Sequence, residues 1–240
     1  MGLRSYRIRI QGWDYFSEIE VPFLSFDDYV SGVDEMIDKE ILKAKEKYDE
    51  FLKMDERLKE FYSNPWDEIK LRQKEGLQTI YYDSLIISIY SFVEKKMNYL
   101  CRYLQENKKI KLKDFSGEGI HKYRNYLEKV IELDFSKKET VWDRLIKYGF
   151  LRNFLNHSEN GRLITKDTNN RQVIIDFLKT CEGVKVIPNE QNYLFEFQSN
   201  LILKNLIKIS KELLEELFLE EHIVSDKDEK SIADWIFTID

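Results

Sequence analysis

Residues 80–100 read IYYDSLIISIYSFVEKKMNYL, and this stretch decides the fold class of the chain. It is apolar on most faces of a helix, as expected of the central helix in a bundle. Its longest apolar run, residues 85–93, contains two Ser and is too short to span a bilayer. Only nine Gly and three Pro occur among 240 residues, which leaves few breaks for tight turns and favours further helices around this centre.

A long amphipathic segment precedes the central stretch. Phe26-Asp27-Asp28 offers an N-cap, and the segment that follows runs to about Tyr62. Apolar residues recur in it at every third or fourth position, a period that predicts one long helix. These residues are Val33, Ile37, Ile41, Ala44, Tyr48, Phe51 and Leu52.

Another helix is bounded by a start signal and a stop signal. Ser136-Lys137-Lys138-Glu139 matches the capping box, in which the Ser and Glu side chains satisfy each other's backbone N–H groups. Asn160-Gly161 is a stop and turn signal. The apolar stripe between them consists of Val141, Leu145, Tyr148 and Leu155. The pattern therefore places residues 152–157 in the last two turns of a helix.

Short segments of alternating pattern predict a small β appendage. Residues 3–10 alternate between apolar and basic side chains, as an edge strand does. Two strand-like runs, 184–187 and 193–197, flank Pro188-Asn189-Glu190-Gln191 and predict a hairpin near 184–197. The expected fold class is mainly α: a helical bundle with a small β appendage made of the N-terminal strand and the hairpin.

The pattern divides the chain into three segments. Residues 1–62 hold the N-terminal strand and the long helix. Residues 63–223 form the helical bundle, with a polar cluster at 152–157 and the hairpin near 184–197. Residues 224–240 form an acidic tail. A chain of 240 residues fits one large domain or one domain with a small addition.

Charge and cysteine content restrict the class of protein. The formal net charge of −6 disfavours a protein that coats long nucleic acid, although an enzyme could still bind a few phosphates locally. The first residues lack the pattern of a secretory signal. Cys101 and Cys181 lie on apolar backgrounds and are predicted to be buried thiols. We therefore expect a soluble cytoplasmic protein with no membrane partner.

Several common kinds of site have no matching pattern. Three His and two Cys show no zinc-ligand spacing, and neither a glycine-rich phosphate loop nor a Gly-x-Ser-x-Gly elbow occurs. We expect neither a metal nor a cofactor. The remaining candidate is the polar cluster Arg152-Asn153-Phe154-Leu155-Asn156-His157.

The spacing of this cluster permits phosphate chemistry. On a helix, Asn153 and His157 lie one turn apart on one face, and Arg152 lies roughly 140° around from His157. A guanidinium beside an imidazole suits phosphodiester cleavage, because Arg stabilises charge on phosphorus and His moves a proton. A structural role is also open. Arg152 would then pair with Asp143 or Glu159, and His157 would interact with the negative end of the helix dipole.

The cluster resembles the signature of the HEPN superfamily (higher eukaryotes and prokaryotes nucleotide-binding). The match is Arg-polar-x3-His at the end of a bundle helix, followed by Ser158-Glu159-Asn160-Gly161, which is similar to a common ending of such domains. The resemblance extends to the helical architecture of residues 66–220. It implies a metal-independent endoribonuclease of toxin–antitoxin, abortive-infection or antiviral-defence systems. In such enzymes the 2′-hydroxyl of RNA attacks its own phosphate.

The resemblance also implies roles and partners. Arg152 would stabilise the pentavalent phosphate, His157 would transfer or position a proton, and Asn153 would orient the phosphate or the partner His. The expected partners are an RNA substrate, a second copy that completes a composite active site, and an antitoxin or another defence-system protein. The alternatives are a non-catalytic HEPN-like module that binds a nucleotide or a protein, and a plain helical scaffold. The acidic charge of the chain and the lack of an obvious RNA-binding stripe in the sequence favour the binding module, and the long helices suit the scaffold.

Overall fold

The structure, a computed structural model, describes residues 5–6, 16–54, 66–158, 162–219 and 222–223. This part of the chain is a mainly α-helical bundle with a small antiparallel sheet, which confirms the predicted fold class. The helices are α1 (Val21–Met54), α2 (Trp66–Gln78), α3 (Ser84–Leu104), α4 (Gly119–Tyr126), α5 (Glu139–His157), α6 (Arg171–Thr180) and α7 (Leu201–Leu219).

Helix α3 lies at the centre of the bundle, as its apolar sequence predicts. It contacts α4, α5 and α7, and the turn at Thr79–Asp83 joins it to α2 without a break in the helical path. Its buried residues are Leu85, Ile86, Ile89, Tyr90, Val93, Met97, Leu100 and Cys101. Both cysteines are buried and unpaired, also as predicted.

Helix α1 begins earlier than its sequence predicts. It starts at Val21 after a preceding helical turn, so Phe26-Asp27-Asp28 lies inside the helix and is not its cap. Ile19 and Phe23 are buried in the core, which shows that the apolar stripe continues upstream of the two aspartates. Burial of that stripe outweighs the local capping preference. Helix α1 packs against α2 and α7, and residues 55–65 lie outside the described part of the chain.

The start of α5 does not use the predicted capping box. The backbone N–H of Ser136 donates to Asp134 Oδ1 at 2.8 Å, and Ser136 Oγ donates to Asp134 Oδ2 at 2.9 Å. Glu139 is paired instead with the guanidinium of Arg124 on α4. The reciprocal Ser136–Glu139 bonds are absent because each side chain has a different partner. The predicted stop at Asn160-Gly161 lies outside the described residues, and α5 ends just before it.

The predicted hairpin is present and belongs to a three-stranded sheet. Strands β3 (Val184–Asn189) and β4 (Asn192–Phe197) pair antiparallel around a turn in which Glu190 has a φ of 53°. Strand β2 (Leu163–Ile164), which the sequence did not predict, pairs with the other edge of β4.

A second small sheet consists of two short strands that are far apart in the sequence. Strand β1 (Ser5–Tyr6) pairs antiparallel with β5 (His222–Ile223), so a strand occurs within the predicted segment 3–10. The rest of that segment and the acidic tail at 224–240 lie outside the described residues.

The three-stranded sheet packs against the helices near the end of α5. The Phe195 ring of β4 lies 6.0 Å from the ring of Phe154 on α5, and Phe197 lies 5.5 Å from Tyr82. The first contact joins the end of α5 to the sheet, and the second joins the sheet to the turn before α3. Among the described helices, none has the length and apolar character needed to cross a membrane.

Candidate active site at the end of helix α5

The apolar face of α5 sets the direction of its polar residues. Five side chains along the helix are buried in the core, from its first turn to its last: Trp142, Leu145, Tyr148, Leu151 and Phe154. This burial fixes the rotation of the helix about its axis. In consequence Arg152 is half-buried at the edge of the core, whereas Asn153 and His157 are exposed to solvent.

The guanidinium of Arg152 contacts three neighbours. Its Nη2 lies 3.8 Å from Oε2 of Glu94, and its Nη1 donates to Oδ1 of Asn153 at 2.9 Å. The guanidinium carbon lies 5.7 Å from the centre of the Tyr90 ring, within the range of a cation–π contact. Both side chains of the Arg152–Glu94 pair keep about a quarter of their surface exposed, 26% and 28%. The cation is therefore held in place yet reachable from solvent.

The sequence did not single out Glu94 or Tyr90, although both lie on the central helix. The sequence did contain a feature that marks Glu94, since it is the one acidic residue in the sequence of α3. Burial raises the pKa of Tyr90 well above its usual value; the negative charge of Glu94 raises it further, and Arg152 partly opposes both. The Tyr90 hydroxyl therefore stays neutral at ordinary pH and cannot serve as a general base.

Gly149 allows α3 and α5 to approach closely beside this cluster. A Cβ atom built at Gly149 would lie 2.5 Å from the Tyr90 hydroxyl oxygen and 3.0 Å from Cζ of the same ring. Both distances are shorter than side chains tolerate, so only glycine fits here without a shift. Gly149 thus keeps the Tyr90 ring beside Arg152, one turn further along α5.

His157 occupies the last position of α5 and is exposed. Its Nε2 lies 3.4 Å from Nδ2 of Asn156. In the described chain no hydrogen bond joins His157 to Arg152 or Asn153, and Asn153 interacts with Arg152 instead. The structure thus brings Arg152 and Asn153 together and leaves His157 beside them as an accessible imidazole.

His121 lies away from this site. His121 lies on α4, and its ring meets Trp142 edge to face at 6.0 Å. Trp142 is fifteen residues before His157 on α5, a separation of about 22 Å along the helix axis. His222 lies in β5. Of His121 and His157, therefore, only His157 shares the end of α5 with Arg152.

The cluster contains a fork-shaped cation and an imidazole, two kinds of group that phosphodiester chemistry can use. Within the described ranges, no group of three or more His, Cys, Asp or Glu side chains could hold a metal ion. No family model, no curated protein and no solved structure matches the chain. The likeness to the HEPN signature thus depends on the six residues and on their place at a helix end.

Proposed function

We propose that this protein is a metal-independent endoribonuclease of the HEPN type that acts as a toxin or antiviral-defence effector in the cytoplasm. One observation carries the proposal. Arg152 contacts Asn153, Glu94 and Tyr90 near the end of α5, and the exposed His157 is the last residue of the same helix. Positive charge held in place without being buried suits a site that stabilises charge on phosphorus.

The reaction would proceed by in-line attack within the RNA strand. The 2′-oxygen forms a bond to its neighbouring phosphorus while the bond from phosphorus to the 5′-oxygen breaks. The 2′-hydroxyl loses its proton to a base and the departing 5′-oxygen gains one from an acid, so no water is consumed. Arg152 stabilises the pentavalent phosphate, and His157 transfers a proton. The products carry a 2′,3′-cyclic phosphate and a 5′-hydroxyl.

A homodimer would complete this machinery. In-line cleavage needs a base and an acid, and each chain brings a single imidazole to the site. A two-fold interface places each residue opposite its own copy, so that two His157 and two Arg152 would face one phosphate. An antitoxin or another defence-system protein would be the natural regulator of such a nuclease.

The proposal predicts loss of cleavage in two variants. We expect His157→Ala and Arg152→Ala each to reduce cleavage of labelled RNA in EDTA by at least about a hundredfold, because each removes a group acting in the transition state. The measurement is product formation on a gel, with new 5′-hydroxyl ends detected by kinase labelling. Neither change should lower the free energy of unfolding by more than about 1 kcal/mol, since both side chains contact solvent.

Matched controls come from the same helices. His121→Ala removes an exposed imidazole on α4, and Arg144→Ala removes an exposed guanidinium two turns before Arg152 on α5. Both should cleave RNA at the wild-type rate. If the His157 and Arg152 variants match these controls, the assigned site is wrong.

A non-catalytic binding module is the second candidate. It is favoured by the contacts of Arg152, because both terminal nitrogens of the guanidinium already lie near Glu94 and Asn153. A cation neutralised in this way could have a purely structural role. Wild-type protein that binds an RNA or nucleotide in EDTA, yet never releases 5′-hydroxyl ends, would favour this candidate over the nuclease.

A further inference from the structure

A groove of about 700 Å³ opens between the end of α3, the loop that follows it and α4. Nine residues line it, and four of them are cationic: Arg102, Lys111, Lys113 and Lys122. Glu106 is the one acidic residue of this lining. In a chain with a formal net charge of −6, the groove is a local concentration of positive charge. Such a surface attracts polyanions.

The wall of the groove is held in place before any ligand binds. Lys111 Nζ donates to the backbone carbonyl oxygens of Gln105 and Glu106 at 3.0 and 2.9 Å, which satisfies the end of α3. The backbone N–H of Leu112 donates to Oε1 of Gln105 at 2.8 Å, and the Leu112 side chain is buried. The loop is therefore held by hydrogen bonds to its backbone and by burial of the Leu112 side chain.

The remaining cations are available to a ligand. Arg102 and Lys113 are exposed and Lys122 is half-buried. Nε of Arg102 donates to Oδ1 of Asn98 at 3.1 Å. None of the three cations forms an ion pair with a carboxylate in the described ranges. Among the described residues, no carboxylate lies within ion-pair distance of these three cations.

The groove continues towards the candidate active site along one face of α3. Glu94, Asn98 and Arg102 follow at four-residue intervals, so they share that face, and Arg102 lies about 12 Å along the axis from Glu94. Tyr123 of α4 lines the groove. It is close enough to Glu94 and Arg102 for both charges to act on its pKa, which burial raises above its usual value. Helix α4 also approaches Glu94 directly, since a Cβ atom built at Gly119 would lie 2.8 Å from Oε1 of Glu94.

We propose that this groove binds the phosphate backbone of the RNA strand whose scissile phosphate lies at Arg152, an inference that rests on the proposed function. Arg102, Lys113 and Lys122 contact successive phosphates, and the half-buried ring of Tyr123 offers a surface on which a base stacks. Contacts to phosphates carry no base information, so the groove supplies affinity and position but not sequence choice.

The test measures binding apart from cleavage. The probe is a fluorescent single-stranded 2′-O-methyl RNA, which has no free 2′-hydroxyl and cannot be cut, titrated with full-length protein and followed by anisotropy. The groove variant carries Arg102→Gln, Lys113→Gln and Lys122→Gln. The matched control carries Lys45→Gln, Lys47→Gln and Lys208→Gln, three exposed lysines on α1 and α7. Thermal unfolding of both triple variants confirms that they fold.

We expect the groove variant to bind at least about tenfold more weakly than wild type and the control variant to bind nearly as wild type. The slope of log affinity against log salt concentration should become shallower by about 2. Each phosphate contact on a single strand contributes about 0.7 to this slope, and the groove variant loses three contacts. If RNA binding is weakened equally in both triple variants, or in neither, the groove is not the RNA-binding surface. A single-stranded DNA of the same sequence should also bind, because the contacts are to phosphates.

The outcomes separate this inference from the proposed function. Wild-type protein that binds the probe through the groove but cuts no RNA supports the groove and rejects the nuclease. Protein that cuts RNA through Arg152 and His157, with binding and salt slope unchanged in the groove variant, rejects the groove and keeps the nuclease.

Discussion

At the scale of single residues, the position of Arg152 depends on side chains from two helices. Glu94 supplies the opposite charge, the Tyr90 ring lies beside the guanidinium, and Asn153 accepts one of its hydrogen bonds. Nε of Arg152 is buried without a hydrogen-bond partner among the described residues. A buried unpaired N–H is costly, so the contacts of the terminal nitrogens and of the Tyr90 ring have to offset this cost.

Gly149→Ala tests the close approach that holds this cluster. Alanine favours a helix by about 1 kcal/mol over glycine, yet here its methyl group would meet the Tyr90 ring. Overpacking of this kind costs about 1–3 kcal/mol, so we expect a net loss of free energy of unfolding in urea. Cleavage should also fall, because a shifted Tyr90 ring moves Arg152.

Two companion variants make the Gly149 result specific. Gly32→Ala lies on α1 with no atom within 4 Å of the added Cβ, and it should stabilise the protein by about 0.5–1 kcal/mol. Tyr90→Phe removes the hydroxyl that the methyl group meets, and combined with Gly149→Ala it should restore part of the lost stability. A Gly149→Ala protein as stable as Gly32→Ala would contradict the packing argument.

At the scale of secondary-structure elements, a buried ion pair joins the three-stranded sheet to the bundle. Nη2 of Arg162, just before β2, lies 3.2 Å from Oδ1 of Asp83, just before α3. The guanidinium also lies 4.2 Å from the centre of the Phe197 ring of β4. Burial raises the pKa of Asp83 to about 6, although the charge of Arg162 opposes the shift. The attraction to Arg162 therefore only partly offsets the loss of hydration.

This raised pKa predicts a pH-dependent stability. The folded chain holds the Asp83 proton more tightly than the unfolded chain, where the carboxyl has its ordinary pKa of 3.8. The stability that the proton contributes is complete below pH 3.8 and is lost as the pH rises through about 6. The loss should be on the order of 2–3 kcal/mol.

Urea unfolding of wild type and of Asp83→Asn at several pH values between 4 and 7 measures this contribution. Asparagine does not titrate, so the other carboxylates cancel when the two curves are subtracted. Wild type should lose stability relative to Asp83→Asn as the pH rises across this window. If wild type instead gains stability relative to Asp83→Asn as the pH rises, the attraction of Arg162 for the Asp83 carboxylate outweighs the effect of burial.

At the scale of the whole molecule, the proposed chemistry predicts a C2 homodimer whose interface includes the exposed end of α5. A single His157 per site cannot act as base and acid at once, whereas two copies can divide these roles. Light scattering at micromolar concentration should give twice the mass of the 29.0 kDa chain.

Mixing experiments test whether the active site is shared. Wild-type protein mixed with an excess of His157→Ala protein should lose cleavage activity as subunits exchange, because a mixed dimer keeps one His157 and lacks the second proton-transfer group, whereas a site complete within one chain would keep its activity. A monomer that cleaves RNA efficiently would reject the composite site and leave the ribonuclease proposal in place.

The sequence by itself determined the helices, the hairpin and the place of the polar cluster. Periodicity of apolar residues and the turn at residues 190–191 act over a few positions, so α3, α5 and the hairpin could be predicted close to their observed bounds. Local signals were wrong where a more distant interaction was stronger. Burial of Ile19 and Phe23 moved the start of α1, and Arg124, 15 positions earlier in the chain, paired with Glu139 of the predicted capping box.

The tertiary structure alone decided which groups surround the cluster. Glu94 lies 58 positions before Arg152, and Asp83 lies 79 positions before Arg162, so no local pattern links either pair. The basic groove likewise combines the end of α3, its following loop and α4. Hydrogen bonding and helix periodicity are set by near neighbours in the chain. Contacts between distant residues depend on how whole apolar faces pack, and that packing fixes which charges come to lie together.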